Sequence, residues 1–451
     1  MRKIYSSILI LIFSFSAVEV FAQPDAGKLP AASLRSDFHL LRDTLEKIHP
    51  SLYRYHSKEY MDRLFDSCER TISDTMTVSS FFTLACYVVA TIGDGHANVR
   101  LPKPILNDYL TKTDLFPAIV MFLHDRAFIY CCKQSPGLDG SELLAIDGRP
   151  MNVIINECFR YVPTDGVIRS RKNWEIPEFF PILYQMLYGA KSEFKVTCKT
   201  PAGAEIQKVL TADRAKNFVC QPPFSRPTRY LELHYTNDTI AILTIRTFYD
   251  EFLNTNGENF SHFLDSAFTD IRTRGISRLL VDGRRNQGGN DQNGALLYAY
   301  LSDKPFHYYA ELRTVKGTLT SDQHPCLALQ MPNPRHYDGK VWFLMDGRSF
   351  SATAEFAAIA RSHKRGLFIG EETGGGYEGN TSGGECMVTL PFSMLTCRIP
   401  LVRYDLAVES SGVRGRGVIP DVPVYPDIAD LIAHKDSQID AAIDAIRKNT
   451  P

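Results

Sequence analysis

"KVWFLMDGRSFSATAEFAAIARSHK", residues 340–364, passes from an apolar run through a short polar turn into an amphipathic segment. "KVWFL" reads as a buried strand, and "AEFAAIARSHK" spaces its apolar residues as a helix does. Between them stand Ser349, Ser351 and Thr353. A side chain at such a turn sits at a sheet edge beside the free amides of a helix N-terminus, which suits a nucleophile and the oxyanion it creates. Ser is also a favoured N-cap residue, so any of the three hydroxyls can serve as a helix cap. Spacing alone leaves both roles open.

The same alternation surrounds this stretch. From about residue 230, "TIAILTIRTF" reads as a strand, "GENFSHFLDSAFTDIRTRG" as a helix, "ISRLLVDGR" as a buried strand and "NDQNGALLYAYLSD" as a helix. The strand "GLFIGEE" follows the segment that starts at Ala352. Strands alternating with helices predict a largely parallel sheet with helices packed on it. Ligands on such sheets gather at the carboxyl ends of the strands. Upstream, at about 115–220, "FPAIVMFLHDRAFIYCC", "SELLAIDG" and "EFKVTCKT" are short strand-like pieces bounded by "DG" and "PG" turns, which predicts a small β-rich module. Residues 33–92 are helical in pattern, with Pro50 ending the first run; their apolar stripes read as packing surfaces.

The chain has 451 residues, more than one ordinary domain holds, and a formal net charge of −1. With 44% hydrophobic and 22% charged residues it belongs among ordinary globular proteins, and it offers no basic stripe for nucleic acid. The first residues combine a basic start, an apolar run and small residues before a cleavage point after Ala22, the order of a secretory signal. Export to the periplasm or the cell exterior is the expectation. The apolar run is short of the roughly 20 residues that span a membrane, and no later segment is long and apolar enough. Ten cysteines show no CxxC and no metal spacing. Cys131 and Cys132 are too close to bridge each other, so buried free thiols are expected.

Two further stretches have chemical promise. "DGRRNQGGN", 282–290, ends a strand in a loop whose Gly288 and Gly289 would let backbone amides approach a ligand, as an oxyanion hole requires; a plain turn is the alternative. "GDGHANV", 93–99, holds His96 in a tight turn. With an ordinary pKa of about 6.5, a histidine can act as a general base near neutrality. One of twelve histidines chosen blindly is more often a surface or core residue.

Taken together, "GDGHANV", "SELLAIDGRPM", "LLVDGRRNQGGN", "FSATAEF", "GLFIGEETGGG" and "GVIPDVPV" resemble, in this order, the C-terminal-processing peptidases, the S41 serine peptidases, whose tricorn-core and interphotoreceptor retinoid-binding branches share the pattern. The resemblance implies a ClpP/crotonase-like α/β core. It implies Ser351 as nucleophile, counted back from "IGEETG". The Lys of the processing branch would fall on Gly376, so a Ser–Lys dyad is not expected, and Lys364 is a poor substitute. In the tricorn-like branch a His from the early segment acts as base, which points to His96, and a late Glu completes the set, which points to Glu409. Two departures stand out. Gly95 replaces a Ser before the His, and Ala354 replaces the usual Glu three residues after the nucleophile, with Glu355 one step later.

Oxyanion donors would be the N–H of Ala352 and one from Gly288 or Gly289. No metal and no other cofactor is called for. The implied layout is a signal at 1–22, a helical unit at 23–100, a β-rich, PDZ-like module at 101–225 and the peptidase core at 226–451. The implied activity is that of an exported serine endopeptidase on peptides or unfolded proteins, with a non-catalytic peptide- or ligand-binding protein on the same fold as the alternative. The oligomeric state is left open.

Overall fold

The computed structural model describes residues 27–448 apart from positions 219, 225, 226, 238, 239 and 411. The expected signal at 1–22 lies outside the described residues. Among those described, no helix is long and apolar enough to cross a membrane.

The core is a six-stranded sheet in the order Leu231–Thr236, Ile240–Ile245, Arg278–Asp282, Lys340–Met345, Gly366–Gly370 and Val422–Pro423. Its first pair is antiparallel and the rest are parallel. The central strands are buried almost end to end, which is why they read as continuous apolar runs and not as alternating ones. Helices Phe260–Thr273, Asp291–Ala299 and Ala352–Ser362 contribute to the core on one face. On the other face Ala442 and Ile446 of the last helix, Ser437–Lys448, pack on Ile242, Leu280, Trp342 and Leu344.

A second sheet joins the N-terminal region to the core. Strand Asn98–Arg100 pairs antiparallel with Thr396–Leu406, placing Asn98 opposite Arg398 and Val99 opposite Cys397. Thr396–Leu406 pairs in turn with Tyr309–Thr314 and Thr381–Thr389. Three helices, Ala31–Ile48, Lys58–Arg70 and Val78–Thr91, precede this strand. Their apolar stripes close over Leu390, Leu395, Cys397 and Ile399 of the C-terminal part. The helical unit thus shares a hydrophobic core with residues about 300 positions away, and the turn at 93–97 is delivered to the main sheet.

Between these parts lies a second antiparallel sheet built on Ile119–Leu123, Arg126–Cys131, Glu142–Ile146, Glu193–Lys199 and Glu205–Thr211. The residues between its third and fourth long strands form helices Met151–Phe159, Arg169–Glu175 and Phe180–Tyr188. From this inserted segment Asp165 and Arg171 reach the region around Ser351. One disulfide, Cys131–Cys220, ties this sheet to the segment leading into the core. Eight other cysteines are free, most of them buried as expected.

Candidate active site

The three hydroxyls of the opening stretch have different fates. Ser349 donates its hydroxyl to Gly283 O at 2.9 Å and accepts the Asp346 N–H at 3.0 Å, which knits the turn to the neighbouring strand end. Thr353 Oγ1 is buried without a partner among the described residues. Ser351 stands at the N-cap of helix Ala352–Ser362, yet its side chain makes no capping hydrogen bond. Its Oγ lies 3.2 Å from His96 Nε2. The Ser351 backbone has φ 54° and ψ −131°, a conformation costly for a residue with a Cβ. Local strain of this kind lifts a side chain out of the turn.

His96 is held from several sides. Its ring stacks on Phe350, with centroids 4.5 Å apart, and the Arg171 guanidinium lies 3.5 Å above the same phenyl ring. Asp94 Oδ1 accepts the His96 N–H at 2.8 Å, and Asp94 Oδ2 accepts from His49 Nε2 at 2.8 Å. Because Ser51 N–H donates to His49 Nδ1, the remaining proton of that ring faces Asp94. Asp165 bridges two loops: Oδ1 accepts the Gly95 N–H at 2.9 Å and Oδ2 accepts the Gly376 N–H at 3.0 Å.

These contacts account for the departures from the family pattern. A Cβ at Gly95 would come within 2.9 Å of the Phe350 ring, so the phenyl group occupies the space a serine would take. At Gly376 a Cβ would meet Gly379 O at 2.7 Å, and the amide there serves Asp165. Lys364 is exposed beyond the far end of the helix. Ala354 lies so near Gly375 that a Cβ there would sit 2.6 Å from its own. Glu355 points elsewhere, accepting from Tyr309 OH at 2.7 Å and from Asn380 Nδ2 at 2.6 Å, and burial together with Asp291 pushes its carboxyl up to about 7.

The glycine loop abuts the same turn. Asp282 is fully buried between Arg246 and Arg284, an ion-pair cluster that holds its carboxyl far below the ordinary range despite the burial. Asn286 clamps the loop: its carbonyl accepts Phe350 N–H at 3.1 Å and its Oδ1 accepts Gly288 N–H at 2.9 Å. A Cβ at Gly288 would lie 2.7 Å from Ser351 Cβ and 2.9 Å from Ala352 N. The Gly288 amide is therefore spent on Asn286. The amides of Gly289, next in the chain to Gly288, and of Ala352, next to Ser351, make no hydrogen bond among the described residues.

Glu409 is not brought to this group. It is exposed, its N–H donates to Ser362 Oγ at 2.8 Å, and it neighbours His363. That is the opposite end of helix Ala352–Ser362 from Ser351, about 15 Å away at 1.5 Å per residue. The carboxylate nearest His96 Nδ1 is Asp94, with Oδ1 at 3.9 Å. Spacing did not single out Asp94, although it lies two positions before His96. Asp165, in "YVPTDGVIRS", carries no signal beyond a common turn.

Charge follows from this burial. Burial lowers the His96 pKa to about 3, with Asp94 opposing and Arg171 and Arg398 adding to the shift, so the ring is neutral at pH 7. Burial also raises the carboxyl of Asp94, but the hydrogen bond from His49 and the contacts with His96 outweigh it and hold it below its ordinary value. For Asp165 the balance is reversed: burial and the charge on Asp94 raise it to about 6.

A half-buried hydroxyl, a neutral imidazole beside it and two amides from adjoining loops are the parts of a serine hydrolase. The family model of Peptidase family S41 matches residues 239–424, a match that supports a serine-type peptidase. The match includes Ser351 and the glycine loop and begins downstream of His96. No curated protein matches the sequence. Among solved structures, a point mutant of CPAF is 13% identical, with 93% of this chain and 99% of that one covered and a TM-score of 0.64. Mature CPAF complexed with lactacystin is 14% identical, covers 93% and 100%, and has a TM-score of 0.60. At these identities the likeness is one of fold.

Proposed function

We propose that the protein is an exported endopeptidase in which Ser351 attacks a peptide carbonyl and His96 takes its proton. The observation that carries this reading is the 3.2 Å approach of His96 Nε2 to Ser351 Oγ. The neutral ring keeps its proton on Nδ1 and presents Nε2 as acceptor. As the tetrahedral oxyanion forms, the amides of Gly289 and Ala352 stabilise it, and His96 then returns the proton to the leaving amine. Asp94 stabilises the imidazolium, and Asp165 positions the His96 turn against the Gly376 loop. Water, deprotonated by the same imidazole, releases the acyl group.

Substrates on this reading are peptides or unfolded proteins outside the cytoplasm, with residues 101–225 acting as a PDZ-like module. Hydrolysis of an internally quenched peptide library by the wild type, and its loss in Ser351→Ala and His96→Ala, tests the proposal. Stoichiometric peptide binding with no turnover in the wild type would favour the binding-protein alternative.

A further inference from the structure

Asp94, His96 and Asp165 form a buried group whose donor atoms all lie within 4.8 Å of one another. His96 Nδ1 points into it, on a side chain 9% exposed, and has no hydrogen-bond partner among the described residues. Each carboxylate is already aimed by two hydrogen bonds. Asp94 accepts from His96 N and His49 Nε2, Asp165 from Gly95 N and Gly376 N. A carboxylate offers about four lone-pair directions, so each retains capacity for a further ligand.

This arrangement has the marks of a metal-ligand set with its outer support in place. Ligating carboxylates are usually oriented by such hydrogen bonds. Zinc takes imidazole nitrogen and carboxylate oxygen at about 2.0–2.2 Å, which requires ligand atoms about 3.4 Å apart in a tetrahedron. The Nδ1–Oδ1 distance of 3.9 Å between His96 and Asp94 is slightly expanded from that value. Two carboxylates also leave the pocket negative. Two cations face it: Arg171, paired with Glu175 at 3.3 Å, and Arg398, whose Nη1 donates to His96 O at 3.3 Å.

We infer that Asp94, His96 and Asp165 bind a zinc-type divalent cation and that this binding switches the peptidase off. The switch is a consequence of where the ring proton sits, and this half of the inference rests on His96 being the base. In the base-competent tautomer Nδ1 carries the proton and Nε2 accepts from Ser351. A cation ligates only an unprotonated Nδ1, so the proton leaves that nitrogen and the neutral ring carries its single proton on Nε2. Nε2 then becomes a donor, and the Ser351 proton has no acceptor. The cation takes the place of a proton at the back of the ring and does not contact the peptide.

The test separates binding from activity by using full-length Ser351→Ala, which retains all three ligands. Zinc affinity is measured by competition with a chromophoric chelator, and ligand type by the absorption of the cobalt(II)-substituted protein. The expected result is one ion per chain, cobalt bands without thiolate charge transfer, and affinity lowered at least about tenfold by adding Asp165→Asn. A thermal melt of each variant checks that it is folded. Failure of Ser351→Ala to bind stoichiometrically, or Asp165→Asn leaving the affinity unchanged, would overturn the site. If the site binds but peptide hydrolysis by the wild type is unaffected by saturating zinc, the switch is overturned. A wild type without hydrolysis refutes the proposed function and leaves the binding arm readable.

Discussion

His96 and Ser351 lie 255 residues apart in sequence and 3.2 Å apart in space. The approach depends on strand Asn98–Arg100, which carries the turn at 93–97 onto Thr396–Leu406. With Ser351 as nucleophile, a base within hydrogen-bond reach contributes about 10²–10⁴-fold to the rate. His96→Ala should lower kcat by that factor with little change in KM, as steady-state kinetics would show. A change confined to KM would make His96 a binding residue.

The pH profile carries a distinctive signature. A group whose pKa is depressed keeps its neutral form further into acid, so His96, lowered to about 3 by burial, remains a competent base well below its usual 6.5. The groups that set its charge are Asp94, Arg171 and Arg398. Of the acids around His96, Asp165 titrates first on acidification, near 6, because burial and the charge on Asp94 raise it against the pull of the Gly95 and Gly376 amides and of Arg171. Its protonation weakens an acceptor that holds the His96 turn. The kcat/KM of the wild type should therefore begin to fall near pH 6, and Asp165→Asn should remove that upper limb and leave only a lower one. A limb at 6.5 indifferent to Asp165→Asn would contradict this assignment.

Asp94 and Glu409 make opposite predictions. Glu409 is exposed at the far end of helix Ala352–Ser362, so Glu409→Ala should change kcat/KM by less than about twofold. Asp94→Asn removes the charge 3.9 Å from His96 Nδ1 and should lower kcat by about 10²-fold. That is less than the loss seen when a triad carboxylate is bonded directly to the imidazole. Measuring both variants in one assay decides which acid serves the histidine.

Gly95 is explained by the Phe350 ring 2.9 Å from where its Cβ would lie. Overpacking of this kind costs about 1–3 kcal/mol. Gly95→Ala should show that loss in denaturant unfolding, together with reduced activity as Phe350 and the stacked His96 move. A double variant with Phe350→Leu should recover part of the stability. Unchanged stability in the single variant would mean that the ring is free to give way.

Much of this was legible in the residues. The alternation of apolar runs and helical spacing from about 230 gave the parallel sheet, because strands buried on both faces and amphipathic helices leave different periods. The turn between strand and helix marked Ser349, Ser351 and Thr353 alike, and it was the family resemblance that pointed to Ser351, and to His96 in its tight turn. What escaped reading depends on contacts across long separations. Asp165 acquires its role only because the helices after Glu142–Ile146 fold back over Ser351. Glu409 sits in the expected order, but Ser362 captures its backbone at the wrong end of the helix. The partner of Cys131, 89 residues on, has no local signature either.

The activation of Ser351 as a nucleophile by His96 is the step on which the proposed function turns. Its most direct test is covalent labelling with a fluorophosphonate, the adduct located by peptide mass spectrometry. The expected result is one adduct, on Ser351, absent from Ser351→Ala and formed at least about 10²-fold more slowly by His96→Ala. An adduct on Ser349 or Thr353, or equal labelling rates with and without the His96 imidazole, would contradict it.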